Sequence, residues 1–243
     1  MDKKTLHQTV LNLLLPQVCA HCREDLPADG FSPLCLGCRP KLPPSARPFC
    51  ERCAEPTLGH AAHCARCANR LYACSTVRAA FQYRDAAVSL VHAFKFRGVR
   101  AAARTAGVWM GHELPRFPEL RSPDALVPVP LHPRRRRERG YNQAKLIAEG
   151  LRESAQAPVE ELVLRVRETK PLWALSREDR AAELNGAFVC PSPERAAGRT
   201  FWLVDDVCTS GASMEACAHA LLAAGARRVL GYAFARQAQP IVQ

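Results

Sequence analysis

"FWLVDDVCTSGAS", Phe201 to Ser213, joins an apolar run to two adjacent acids, Asp205 and Asp206, and then to a loop of small and hydroxyl residues, Thr209, Ser210, Gly211, Ala212 and Ser213. The apolar run reads as a buried strand, and "SMEACAHALLAAGA" (213–226) after the loop reads as a helix. Where a loop turns into a helix, backbone N–H groups point outward and the helix dipole favours an anion. The loop is therefore predicted to cradle a phosphate. The two acids cannot share that task; they suit the vicinal hydroxyls of a sugar, with a divalent cation bridging. A ribose carrying a 5-phosphate and a second group would meet both halves. A P-loop would need a Lys before the hydroxyl residue, and a dinucleotide fingerprint would need G-x-G-x-x-G; this stretch has neither.

Outward from this stretch, strands and helices alternate. "CSTVRAAFQY" (74–83), "PDALVPVP" (123–130) and "RVLGYAF" (228–234) read as strands, and "ELVLRVRETKP" (161–171) as a short strand leading into a loop. "RDAAVSLVHAFKFRG" (84–98), residues 100–113, "RGYNQAKLIAEGLRES" (139–154) and "SREDRAAELNGAF" (176–188) read as helices, the last opened by Ser176 as N-cap. This pattern predicts an α/β fold, a mostly parallel sheet with helices on both faces, whose ligands bind at the carboxyl ends of the strands.

The N-terminal third differs. Of twelve cysteines, eight form four C-x2-C pairs: Cys19/Cys22, Cys35/Cys38, Cys50/Cys53 and Cys64/Cys67. A C-x2-C turn aims two sulfurs at one point, and two such turns complete a tetrahedral zinc site. The intervening segments are rich in Pro and polar residues and build no core of their own, so metal would supply much of the folding free energy. A disulfide framework needs an oxidising compartment, for which nothing in the chain argues. Two structural zinc sites are expected. Pairing successive turns makes two tandem zinc ribbons, while the near-even gaps of 12, 11 and 10 residues leave an interleaved pairing open. Four thiolates close each site to catalysis. His21, His60 and His63 read as surface residues, and Cys74, Cys190, Cys208 and Cys217 as ordinary thiols.

The chain divides on this reading into an amphipathic helix over 1–15, with Leu6, Val10, Leu13 and Leu14 on one face, a double zinc ribbon over 16–73, and an α/β domain over 74–243. The apolar N-terminal run is short, is interrupted by Asn12 and lacks a small-residue cleavage site, and no run of 18 apolar residues indicates a membrane span. A cytoplasmic location is expected. The net charge of +11 falls to about +7 once each zinc with four thiolates adds a net −2, and still favours acidic partners, either nucleic acid or phosphorylated ligands.

A second strand end carries chemistry: "VPVPLHPRRRRERGYNQA" (127–144). Arg134, Arg135, Arg136, Arg137 and Arg139 place five guanidiniums in six residues, and guanidinium forks match phosphate oxygens in bidentate fashion. The run reads as a pyrophosphate clamp or lid, or as a basic loop that touches nucleic acid. Tyr141, Asn142 and Gln143 are expected near the site, positioning it or touching ligand. Lys170, Arg177 and Arg180 are further candidates for the same anionic pocket.

"LVDDVCTSGAS" resembles the phosphoribosyl pyrophosphate motif of type I phosphoribosyltransferases. Together with the four C-x2-C pairs, "VPVPLHPRRRRERGYNQA" and "LSREDRAAELNGAF", it is similar to the ComF family (competence protein F), over nearly the whole chain from Cys19 to Arg236. The resemblance implies that Asp205 and Asp206 contact the ribose hydroxyls and that Thr209 to Ser213 wrap the 5-phosphate. It implies that Val129, Pro130, Leu131 and His132 hold pyrophosphate, with Mg²⁺ accompanying the ligand. Ser210 and Ser213 stand where Thr is common, and Cys208 replaces an aliphatic residue. A cytoplasmic role in natural competence is implied, with single-stranded DNA or DNA-uptake proteins as partners. Transferase activity rests on fold analogy alone, and no base-binding domain is visible. The alternative is a non-catalytic protein that handles single-stranded DNA or responds to a sugar phosphate, although no aromatic residue interleaves the arginines to stack bases.

Overall fold

The computed structural model describes residues 17–27, 32–57, 62–68, 72–168, 183–184 and 186–238. After a one-turn helix in the Cys-rich segment (α1, Ala65–Ala68), the chain runs β1 (Val77–Gln82), α2 (Ala86–Phe96), α3 (Arg100–Glu113), β2 (Ala125–Pro128), α4 (Pro133–Arg139) and α5 (Gln143–Ala155). It continues with β3 (Leu164–Arg165), β4 (Phe188–Val189), α6 (Pro193–Ala196), β5 (Thr200–Cys208), α7 (Ala212–Ala223) and β6 (Arg228–Arg236). The sheet order is β1-β6-β5-β2, with every neighbouring pair parallel.

Most strand residues are apolar and buried because the sheet is covered on both faces. Successive residues of β5 alternate between the two layers: Trp202 and Val204 pack with α2, α3 and α5, while Phe201 and Leu203 pack with α7. Helices α3 and α5 cross at glycines. A Cβ on Gly107 would come 2.0 Å from the Ile147 carbonyl oxygen, and one on Gly150 would come 2.0 Å from that of Arg104.

The main elements fall where the sequence places them, with two corrections. Of the expected strand over 161–171, the described residues 161–168 do not join the parallel sheet. Leu164–Arg165 pairs antiparallel with Phe188–Val189 outside it, and the edge beside β2 is taken by residues 158–160, which exchange two backbone hydrogen bonds with Leu126. The Arg run, expected as a loop, is helical. Pro133 opens α4 at its first turn, the His132 side chain accepts from Arg134 N at 3.4 Å, and Gly140 at φ 79° closes it. The expected helix over 1–15, most of the helix over 176–188, and His60, Lys170, Arg177 and Arg180 lie outside the described residues.

The Cys-rich segment shares the core of the sheet. Cys19, Ala20, Leu34, Cys38, Leu42 and Phe49 belong to the same buried cluster as Leu90, Phe94 and Tyr232. No helix among the described residues is long and apolar enough to cross a membrane.

Candidate functional site

Two features carry the chemistry: a pair of thiol clusters, and the acid pair with its loop toward the carboxyl end of β5. The eight cysteines gather as Cys19/Cys22/Cys35/Cys38 and Cys50/Cys53/Cys64/Cys67, with all sulfurs of a group within 4.8 Å of one another. Successive turns therefore pair, and the interleaved alternative is ruled out. The two leading turns repeat one geometry. Cys19 N donates to Glu24 O and Arg23 N to Cys19 O, and likewise Cys50 N to Glu55 O and Ala54 N to Cys50 O. Arg23 and Ala54 both take positive φ, 70° and 56°, to close these turns.

The residues fit zinc. Four sulfurs about 2.3 Å from a tetrahedral centre stand about 3.8 Å apart, and Cys22 Sγ to Cys35 Sγ is 3.7 Å, Cys53 Sγ to Cys64 Sγ 3.8 Å. Burial disfavours the Cys19 thiolate, but backbone N–H groups of Cys35, Cys22 and His21 outweigh it and lower the pKa to about 6. Hydrogen bonds from the Cys53 and Cys67 thiols lower that of Cys50, while their shared protons raise Cys53 and take Cys67 to about 11. A divalent ion bound by the four sulfurs replaces the protons for which these thiols compete. His63 is exposed; His21 is half-buried and its Nδ1 meets Ser89 Oγ at 3.0 Å, which ties the first ribbon to α2.

Asp205 and Asp206 lie near the carboxyl end of β5, followed by Val207 and Cys208, and Thr209 to Gly211 lead the chain into α7. Gly211 takes φ 80°, a left-handed conformation that a side chain would strain. Thr209, Ser210, Gly211, Ala212 and Ser213 are all half-buried, and Ala212 N donates to Ser210 Oγ at 3.4 Å. Asp206 is 3% exposed; its Oδ1 accepts from Lys95 Nζ at 2.9 Å and from Val207 N at 2.6 Å. Its Oδ2 is buried with no hydrogen-bond partner among the described residues. A buried carboxylate oxygen left in this state is costly unless a ligand meets it. Burial, and then the neighbouring Asp206 carboxylate, push Asp205 up to about 7. Burial works against the Lys95 ammonium, and the Asp206 carboxylate overcomes it and holds its pKa above the ordinary value.

On the β2 side, Val129 is buried and held by its N–H to Val204 O at 2.9 Å, while Pro130, Leu131 and His132 are half-buried. Asn142 Nδ2 donates to Val129 O at 3.1 Å and Asn142 Oδ1 caps α5 by accepting from Ala144 N at 3.0 Å. Tyr141 donates to Phe94 O. Tyr141 and Asn142 therefore position the strand end from beneath it. The five arginines do not act as one group. Arg139 is half-buried, donates to Gln143 and lies in the field of both Asp205 and Asp206. Arg134, Arg135, Arg136 and Arg137 are exposed, Arg134 on Glu138 and Glu168 and Arg136 on Glu161.

The sequence reading misses Lys95, Glu55 and Arg236. Lys95 had one signal: it stands four residues after the buried Val91 in a mostly apolar helix. Glu55 and Arg236, separated by 181 positions, had none.

The fold and these sites define a class: an α/β protein with a parallel sheet, an acid pair at one strand end, and two four-cysteine sites welded to its core. The family profile of the double zinc ribbon domain matches residues 10–68. Competence protein F of Haemophilus influenzae is 30% identical over 224 residues, 90% of this chain and 96% of the relative. The DNA utilization protein YhgH of Escherichia coli is 30% identical over 221 residues, 89% and 96% of the two chains. Competence protein ComFC of Bacillus subtilis is 29% identical over 202 residues, 79% of each. This chain belongs to the competence protein F family.

Proposed function

We propose that the chain binds phosphoribosyl pyrophosphate with Mg²⁺ at the carboxyl ends of β5 and β2 and serves the handling of incoming DNA in the cytoplasm during competence. The observation that carries the reading is Asp206 Oδ2, a buried carboxylate oxygen without a partner among the described residues, beside a half-buried hydroxyl loop that opens a helix. Asp205 and Asp206 hold the ribose hydroxyls, and Thr209, Ser210, Gly211, Ala212 and Ser213 surround the 5-phosphate. Val129, Pro130, Leu131 and His132 receive the pyrophosphate with Arg139 above them. Carboxylate oxygens are the donors Mg²⁺ prefers, and the ion neutralises pyrophosphate when bound. Lys95 pairs with Asp206 Oδ1 at 2.9 Å and leaves Oδ2 as the acceptor for a sugar hydroxyl. The role in DNA handling draws on the relatives, two of which are named for competence and one for DNA utilization. Transfer of the phosphoribosyl group to an acceptor is the activity such a site serves.

Calorimetric titration of the zinc-loaded chain with phosphoribosyl pyrophosphate and Mg²⁺ tests the reading. Binding that disappears in Asp205→Asn/Asp206→Asn with the fold retained supports it; no binding at millimolar ligand refutes it.

A second reading rests on the four exposed arginines, Arg134 to Arg137, on one short helix. They supply phosphate contacts to single-stranded DNA without sequence preference. Binding whose salt dependence is lost on neutralising all four supports this reading.

A further inference from the structure

The amino edge of the sheet, opposite to the acid pair, carries a basic feature of its own. An open cleft of about 400 Å³ lies there, lined by Glu119, Arg121 and Ser122 ahead of β2, by Thr200, and by Arg227 and Arg228. Thr200 and Arg228 are the first residues of β5 and β6 and stand in register, so the cleft sits on the strand starts. Asp206 is six residues further along β5. At about 3.3 Å per residue the two places are about 20 Å apart, at opposite ends of one strand.

The three arginines of the cleft are exposed, and none meets a carboxylate among the described residues. The acids nearby are engaged elsewhere. Glu119 holds the buried Arg78, Asp124 Oδ2 accepts from Thr200 N at 2.7 Å, and Glu160 takes both Arg195 and Arg199. Two of the three guanidiniums are instead aimed by neutral groups. Arg227 Nε and Nη2 donate to Thr200 Oγ1 at 3.3 and 3.1 Å, and Arg228 Nε donates to Ser75 Oγ at 3.2 Å. A hydroxyl orients a guanidinium without cancelling its charge. Arg227 Nη1 and both terminal nitrogens of Arg228 keep their N–H groups for a ligand. The arginines of α4 are differently placed: Arg134 is paired with Glu138 and Glu168, and Arg136 with Glu161.

We infer that this cleft binds linked phosphates, supplied either by the polyphosphate chain of a nucleotide or by the backbone of a single-stranded nucleic acid. Guanidinium forks match phosphate oxygens in bidentate fashion. The strand order β1-β6-β5-β2 spreads the charges into a row. Arg228 leans toward Ser75 ahead of β1, Arg227 toward Thr200 on β5, and Arg121 stands ahead of β2. A row suits successive phosphates of one chain better than a single isolated anion. No aromatic ring of the described residues lines the cleft, so the phosphate chain is recognised and bases are not stacked. The inference goes beyond the sugar-phosphate reading and does not depend on it. A nucleic-acid strand held here would serve the DNA handling proposed above, at a place remote from Arg134 to Arg137.

The test uses the zinc-loaded full chain at low salt, with tripolyphosphate, a labelled oligothymidylate and poly-glutamate as probes. Calorimetry reads tripolyphosphate, and fluorescence anisotropy reads the two polymers. Arg121→Gln/Arg227→Gln/Arg228→Gln, all at exposed positions, is expected to weaken at least one phosphate probe by about tenfold or more. For the oligothymidylate, the slope of log affinity against log salt should fall by about two, since each phosphate contact contributes about 0.7. Asp205→Asn/Asp206→Asn, and replacement of Arg134 to Arg137 by Gln, should each change the same affinity less than about twofold. The triple variant should keep its zinc, its urea midpoint and its affinity for phosphoribosyl pyrophosphate. Which phosphate probe binds tells nucleotide from nucleic acid. The site is overturned if neither binds, or if binding survives in the triple variant and is lost only with Arg134 to Arg137. It is overturned equally if poly-glutamate binds as tightly and is lost with the same three arginines, which would make this a surface for an acidic protein. Failure to bind phosphoribosyl pyrophosphate would remove the sugar-phosphate reading and leave this one standing.

Discussion

Arg236 Nη1 donates to Cys208 Sγ across 2.8 Å at the foot of the Thr209–Gly211 loop, and Nη2 of the same guanidinium meets Glu55. Glu55 follows the Cys50/Cys53 turn, whose backbone it closes by accepting from Cys50 N at 2.8 Å. One buried cation thus bolts the second ribbon to the ends of β5 and β6. Glu215 adds a second bolt from the first turn of α7, accepting from the N–H groups of Ala73 and Cys74 at 2.6 and 3.1 Å.

Glu55→Ala is expected to destabilise the protein by about 3 kcal/mol, because it leaves Arg236, 3% exposed, buried without its counter-ion. Arg66→Ala, which removes a second cation from Glu55 at 2.6 Å but leaves Arg236 paired, is expected to cost about 1 kcal/mol. Urea unfolding of the two variants separates them. Equal losses would mean that the buried pair does not bolt the modules.

Zinc content should follow the clusters. The wild-type chain has two four-cysteine sites, and Cys22→Ser or Cys64→Ser should each remove one equivalent by metal analysis. Their effects on the ligand site should differ. Losing the metal of the second ribbon frees Glu55 and, through Arg236, the loop after Cys208. Cys64→Ser is therefore expected to weaken sugar-phosphate binding about tenfold, and Cys22→Ser about twofold or less, both read by calorimetry.

The α3–α5 crossing gives a prediction independent of any ligand. Gly150 faces the Arg104 carbonyl where a methyl group would come within 2.0 Å of the oxygen. Backbone cannot yield as a side-chain tip can, so Gly150→Ala is expected to cost about 3 kcal/mol, at the upper end for overpacking. Isolated-helix propensity predicts the reverse sign, a gain of somewhat under about 1 kcal/mol. A thermal melt of the single variant decides between them.

What could be read from the sequence was local. The C-x2-C spacing carries its geometry within four residues, and Phe201 to Ser213 carries a strand, an acid pair and a loop in continuous order, so both appear in the structure where the residues place them. Helix α4 also had local signals, Pro133 inside its start and Gly140 past its end, but five arginines dominate its composition and read as a solvated loop. The pairs that complete the site were out of reach for another reason. Lys95 with Asp206, and Glu55 with Arg236, are joined only by the fold, and each is a charge that a sequence window assigns to the surface by default. The two-residue strand Leu164–Arg165 shows a third cause: an apolar alternation specifies an extended segment without specifying which sheet edge accepts it.

The acid pair predicts opposite effects of one substitution on stability and on binding. Asp205 has an ordinary pKa of 3.8 and is raised to about 7 in the fold, by burial first and by Asp206 second. A carboxyl raised in this way stabilises the fold in its protonated form. Its contribution is complete below the unfolded value and is lost as the pH rises through about 7. Asp205→Asn should therefore match the wild type near pH 4 and exceed it at pH 8 by on the order of 2 kcal/mol, a figure discounted because the side chain is half-buried. Binding runs the other way on the proposed reading, in which an ionised Asp205 helps to hold ribose hydroxyls and a divalent ion. Wild-type affinity for phosphoribosyl pyrophosphate with Mg²⁺ should rise about tenfold between pH 6 and pH 8 as Asp205 ionises, beyond any change that the ligand's own titration produces in a control binder. Denaturation of both proteins at the two pH extremes, with calorimetry at pH 6 and pH 8, reads both halves. A variant more stable at pH 8 that no longer binds would identify Asp205 as a carboxylate kept at a cost to stability for the sake of its ligand.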